Sequence, residues 1–150
     1  MGYCTVDDIK ADFKGLQISS SGTAVTIAEA EEIISQVSNY IDGRIGLRYV
    51  VPVVAATYVE AGSILKMIAT FMAGERIKNI IEVKTGVSQL DSEGKQIIDS
   101  IRSYKNDLKM IAEGYLLLKD VPLKASASGV SSFNSDNCVE HVVDVTKQQW

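Results

Sequence analysis

The sequence predicts an all-α domain, a bundle of about four helices over residues 1–122, followed by an extended C-terminal arm over 123–150. Three observations lead there. Thr5 and Thr26 each stand three residues before a carboxylate and open a run whose apolar residues recur every three or four positions. Two more runs of that period follow, near 59–82 and 91–118, whereas the last thirty residues lose it and turn rich in Ser, Gly and Asn. With 150 residues, 46% apolar and 23% charged, one modest core is expected.

The first helix opens at Thr5, whose hydroxyl caps it; Val6, Ile9 and Phe13 form its inner face and Gly15 is its natural stop. Ser19 to Thr23 reads as a loop, because its short polar side chains compete with the backbone for hydrogen bonds. Thr26-Ile27-Ala28-Glu29 is a capping box for the second helix, in which hydroxyl and carboxylate satisfy each other's orphan amides. Its stripe is Ile27, Ala30, Ile33, Ile34, Val37, Tyr40, Ile41 and Ile45, with Glu29, Glu31, Glu32, Gln36 and Asn39 largely off it. Tyr49 to Val54 is β-branched and carries Pro52, which predicts an extended connector whose apolar side chains pack on the bundle or on a neighbouring subunit.

A third helix is expected from Val59 to Glu82, buried through Ile64, Leu65, Ile68, Phe71, Met72, Ile77 and Ile81 and closed by Thr85-Gly86. Asp91 or Ser92 caps a fourth, whose period runs through Ile97, Ile98, Ile101, Tyr104, Leu108, Ile111, Tyr115 and Leu118 to Pro122. At about 1.5 Å per residue it would be roughly 40 Å long. In the arm, Ala125 to Asn137 has no period, and Cys138 to Val145 partly alternates as a strand would.

The chemistry of the chain excludes more than it suggests. The formal charge is −4, from 15 basic and 19 acidic residues, which is the wrong sign for a phosphate-gripping surface. Cys4, Cys138 and His141 are scattered, so neither a metal site nor a disulfide framework is expected. His141 lies in the arm, with no helix to orient it as a catalytic base, and no phosphate loop or nucleophile elbow is present; no enzyme and no cofactor are expected. The longest apolar run, Val50 to Ala56, is far short of a membrane span, and the N-terminus lacks a signal sequence, so a cytoplasmic chain is expected.

Arg44 with Arg48, read as an i, i+4 pair ending the second helix, and Arg76 with Lys78 are the candidates for nucleic acid. Cations near helix C-termini are also stabilised by the dipole alone. A small cytoplasmic helical DNA-binding protein is thus the alternative to a self-assembling one. For assembly the candidate interface is Arg44, Arg48, Tyr49 and Pro52 around the connector, with Phe133, Val142, Val143 and Trp150 in the arm.

The segment Tyr40-Ile41-Asp42-Gly43-Arg44-Ile45-Gly46-Leu47-Arg48-Tyr49-Val50-Val51-Pro52-Val53 resembles one in the head-to-tail connector proteins of tailed bacteriophages, also called adaptor or head-completion proteins. Leu65-Lys66-Met67-Ile68-Ala69-Thr70-Phe71-Met72-Ala73-Gly74-Glu75-Arg76 resembles the family's next helix, and Tyr3-Cys4-Thr5-Val6-Asp7-Asp8-Ile9 its Thr-capped opening. The likeness covers about residues 3–82, the order of elements continues to about 120, and the arm has no counterpart in it. The resemblance implies a structural protein of the virion neck, made in the host cytoplasm. It would form a homo-oligomeric ring, usually twelve-fold, that docks below the portal protein and offers a platform to the tail. Genome DNA would pass through the channel without specific binding, which mild acidity accommodates.

Overall fold

A computed structural model of the chain describes residues 2–19, 25–85 and 92–124, apart from the side chains of 92–101. Its elements are α1 (Val6–Asp12), β1 (Ile18–Ser19), β2 (Val25–Thr26), α2 (Ile27–Ile45), α3 (Val59–Thr85) and α4 (Ser92–Glu113). The fold is mostly helical, as expected, with four helices among the described residues. Both predicted capping boxes form. The Asp8 amide donates to Thr5 Oγ1 at 3.3 Å and the Thr5 amide to Asp8 Oδ2 at 2.9 Å; Glu29 and Thr26 repeat the exchange at 3.2 and 2.8 Å.

α3 is the centre, packing on α1, α2 and α4. It buries Leu65, Ile68, Ile77 and Ile81, as the stripe predicts, and also Ala61, Gly62, Ala69, Thr70, Ala73 and Gly74, which it does not. The small residues let neighbours approach: a β-carbon at Gly74 would lie 2.2 Å from the Phe13 ring, and one at Gly62 would lie 2.6 Å from Ala55 Cβ. Phe13 meets Phe71 with ring centroids 5.6 Å apart, and Phe71 stacks on Tyr104 at 4.6 Å, so aromatic contact links α1, α3 and α4. On α2 the stripe holds at Ala30, Ile33, Ile34, Val37, Ile41 and Ile45. Tyr40 departs from it, standing 47% exposed. No described helix is long and apolar enough to cross a membrane.

Three expectations need correction. The loop after α1 contains β1, which pairs in parallel with β2 (Ile18 to Val25, Ser19 to Thr26), placing Ile18 and Val25 in the core; residues 20–24 lie outside the described residues. α4 ends at Glu113, well before Pro122. Gly114 takes φ +86, a left-handed conformation that stops a helix, and its amide and that of Tyr115 both donate to the Met110 carbonyl at 2.9 Å. Tyr115 is accordingly 78% exposed, and Leu118 reaches the core from a loop rather than from a helix. Finally, α2 stops at Ile45, so Arg48 sits in the turn beyond it and does not form a helical pair with Arg44. Gly86 and the side chains of Ile97, Ile98 and Ile101 lie outside the described residues.

Candidate assembly surface

The turn after α2 and the chain after α4 meet at one end of the bundle. The amide of Val50 donates to the Pro122 carbonyl at 3.0 Å and that of Lys124 to the Arg48 carbonyl at 2.7 Å, with Tyr49 and Leu123 as antiparallel partners. Between them Tyr49 is 1% exposed, and its hydroxyl accepts from the Leu118 amide at 3.2 Å. A buried tyrosine needs such a partner for its polar tip. Lys124 Nζ reaches the Gly46 carbonyl at 3.4 Å and Lys119 pairs with Glu60 at 3.4 Å, extending the join to the start of α3.

The N-terminal segment braces the same region. The Tyr3 hydroxyl donates to Asp42 and accepts from the Val53 amide at 3.1 Å. Burial, together with donation to the Asp42 carboxylate, raises the Tyr3 pKa above the ordinary tyrosine value, so the hydroxyl keeps its proton. Nearby, the Tyr3 amide donates to Ser38 Oγ at 3.0 Å, and Cys4 is buried, which pushes its thiol up to about 11. A thiol so protonated is a poor nucleophile.

This scaffold has an apolar exterior. Leu47 (87% exposed), Val50, Val54, Val59, Tyr115, Leu117 and Leu123 all lie on the two joined segments or on the first residue of α3. They are seven of the ten large apolar side chains exposed among the described residues, the other three being Tyr40, Met67 and Val83. Single exposed apolar residues are ordinary, but seven on these joined segments make this end the candidate contact surface. We call this end the collar.

The sequence-predicted interface residues divide around it. Pro52 is exposed within the connector, beside half-buried Val51 and buried Val53. Arg48 is half-buried, its guanidinium pressed on Gly114, where a β-carbon would lie 2.0 Å from Nη1; its buried Nε has no hydrogen-bond partner among the described residues. Tyr49 is buried: its side chain belongs to the core and holds the collar together. Arg44 is exposed in the last turn of α2, 5.4 Å above the Tyr40 ring centroid, and its Nε donates to the Tyr40 hydroxyl at 3.1 Å. Phe133, Val142, Val143 and Trp150 lie outside the described residues.

Sequence reasoning missed Leu47, Val59, Tyr115, Leu117 and Leu123. One signal was available for the Tyr115 group. Four consecutive apolar residues, Tyr115 to Leu118, spread around every face of a helix, and the glycine before them is a helix stop.

Among the described residues no group of three metal-ligating side chains gathers. Several described carboxylates and lysines pair with one another, as in Lys66 with Asp8 at 2.7 Å and Lys105 with Glu75 at 2.6 Å. The chain matches no family model, no curated protein and no solved structure.

Proposed function

We propose that this chain is a structural protein of the virion neck, a ring-forming adaptor that joins the portal of a DNA-filled head to the tail. The observation that supports it most is the collar: a rigid, hydrogen-bonded end of a helical bundle that presents Leu47, Val50, Val54, Tyr115, Leu117 and Leu123 to solvent. Apolar surface removed from water contributes about 25 cal/mol per Å². Because these side chains stand on backbone already fixed by the bundle, docking them orders little that was free, and more of the burial remains as affinity.

The assignment to the neck, among assembly proteins, comes from the resemblance carried by residues 3–82. The collar fits it through its position, since part of it is the connector that follows Arg48 and carries the Tyr49 and Pro52 of that resemblance. The portal is the first partner we assign to it. The arm leaves the described residues at Lys124, beside the collar, so both elements expected to serve attachment start from one end.

The test combines size-exclusion chromatography and light scattering, alone and with the portal protein, with a DNA mobility shift across salt. A ring or a portal complex, with no salt-sensitive DNA shift, is the expected result. In infected cells, loss of the chain should leave filled heads and free tails that do not join. A monomer that shifts DNA and ignores the portal would instead favour the helical DNA-binding alternative.

A further inference from the structure

Two clefts open against α2, and the charges that line them are opposite in sign. The first, about 280 Å³, lies between α2 and α4 over a floor of Met72, Leu108 and Ala112. Three cations line it, Arg44, Lys105 and Lys109, against one carboxylate, Glu113. The second, about 560 Å³, lies between α1 and α2; its charged lining is Asp7 and Glu31 with Lys10. At about 100° per residue, Glu31 and Arg44 project roughly 140° apart around the α2 axis.

We propose that a second copy of this chain docks the acidic rim formed by Asp7 and Glu31 into the basic groove formed by Arg44 and Lys109. This deepens the ring-forming reading and rests on it. Charge complementarity selects the occupant. In a chain of net charge −4 the basic groove stands apart from the rest, and the acids it suits are carried on the opposite flank of the same helix. Arg44 is prepared for such a partner. Tyr40 holds its guanidinium by stacking and by the bond to Nε, so both terminal nitrogens remain for a carboxylate, the geometry in which arginine binds best. Among the described residues Arg44 has no carboxylate partner of its own, whereas Lys105 is held by Glu75 and Lys109 lies 3.8 Å from Glu113.

The flanking geometry decides the outcome of association. Because groove and rim face different ways, two copies satisfy one contact and leave one groove and one rim open. Such a heterologous contact repeats from copy to copy, and it is the kind of contact from which a ring is built when the rotation between copies closes.

Four exposed side chains test it, so folding is not at stake: Arg44→Glu with Lys109→Glu turns the groove acidic, and Asp7→Lys with Glu31→Lys turns the rim basic. Each double variant should melt like the wild type yet require at least about tenfold more protein to assemble in sedimentation velocity, since like charges then face each other. Mixed one to one, the two variants should recover assembly, because every contact between unlike copies is again complementary. Wild-type rings with variants that assemble equally well, or a mixture that stays apart, overturn the groove assignment and leave the ring reading standing. A wild type that stays monomeric across the concentration series overturns the ring reading and this one with it. A nucleic-acid shift lost in the groove variant, with no change in self-association, overturns the assignment in favour of a phosphate ligand.

Discussion

α3 and the collar draw on the same kinds of residue and put them to opposite ends. Along α3, Leu65, Ile68 and Ile77 are 0% exposed, pressed by three other helices, with Ala and Gly admitting those helices closely. In the collar the backbone is as well tied, by the Val50, Lys124 and Leu118 amides, but Leu47, Leu117 and Tyr115 point into water. The difference teaches that order and burial are separate properties here. α3 is ordered because its side chains are buried, whereas the collar is ordered by backbone hydrogen bonds around one buried tyrosine, which frees its apolar side chains for a partner.

Breaking the first region should be catastrophic. Ile68→Asp, or Ile34→Asp on the facing helix, buries an unpaired charge and should cost more than about 4 kcal/mol, abolishing cooperative melting by circular dichroism. A soluble variant with a sharp melt would refute the central role given to these positions. Breaking the second should cost less. Gly114→Val forces a branched residue into φ +86 and drives its side chain against Arg48, for an expected loss of about 1–3 kcal/mol in urea unfolding. Adding Arg48→Ala should recover the steric part of that loss and leave the backbone part.

A pH titration sharpens the comparison at the start of α1. Burial raises the Asp8 pKa, but the hydrogen bonds from Lys66 and Thr5 together outweigh it and hold the carboxyl below its ordinary value. The sign follows: this stabilisation is fully present above about pH 4, the unfolded value, and is lost as pH falls through the lower folded value. Asp8→Asn should therefore lessen the acid-side decline in stability, while substitutions in the collar should not alter it. The smallest effect on stability is expected from Leu47→Ser with Leu117→Ser, within about 0.5 kcal/mol of wild type. Attachment to the portal should nevertheless weaken in a pull-down, which is how an apolar contact surface differs from a core.

Much of the fold is legible in the residues because its signals are local. The Thr5–Asp8 and Thr26–Glu29 boxes each fix a helix start within four residues, and the α2 stripe names its own buried face. α3 is less legible. A helix surrounded on several sides has no single stripe, so Ala69, Thr70, Ala73 and Gly74 give no periodic sign of their burial. The collar is least so, since it depends on Gly114 ending α4 early and on a pairing of Tyr49 with Leu123 that no short pattern encodes. The basic groove has the same cause: Arg44, Lys105 and Lys109 come together only when α4 packs back on α2.

The same pairing has a consequence in time. Leu118 and Tyr49 are 69 residues apart in the chain, and Lys124 and Gly46 are 78 apart, so closing the collar means closing long loops, whereas each capping box closes over three residues. Long loops are entropically costly to close and slow to form. The expected order is that α1 and α2 acquire structure first and the collar last, with pulse-labelled hydrogen exchange protecting the Val50 and Lys124 amides after those of α2. Simultaneous protection would contradict it. A chain still emerging from the ribosome has no collar, so the surface proposed for assembly comes into being only when the rest of the bundle is complete, and on that proposal unfinished subunits are kept from assembling by the order of their own folding.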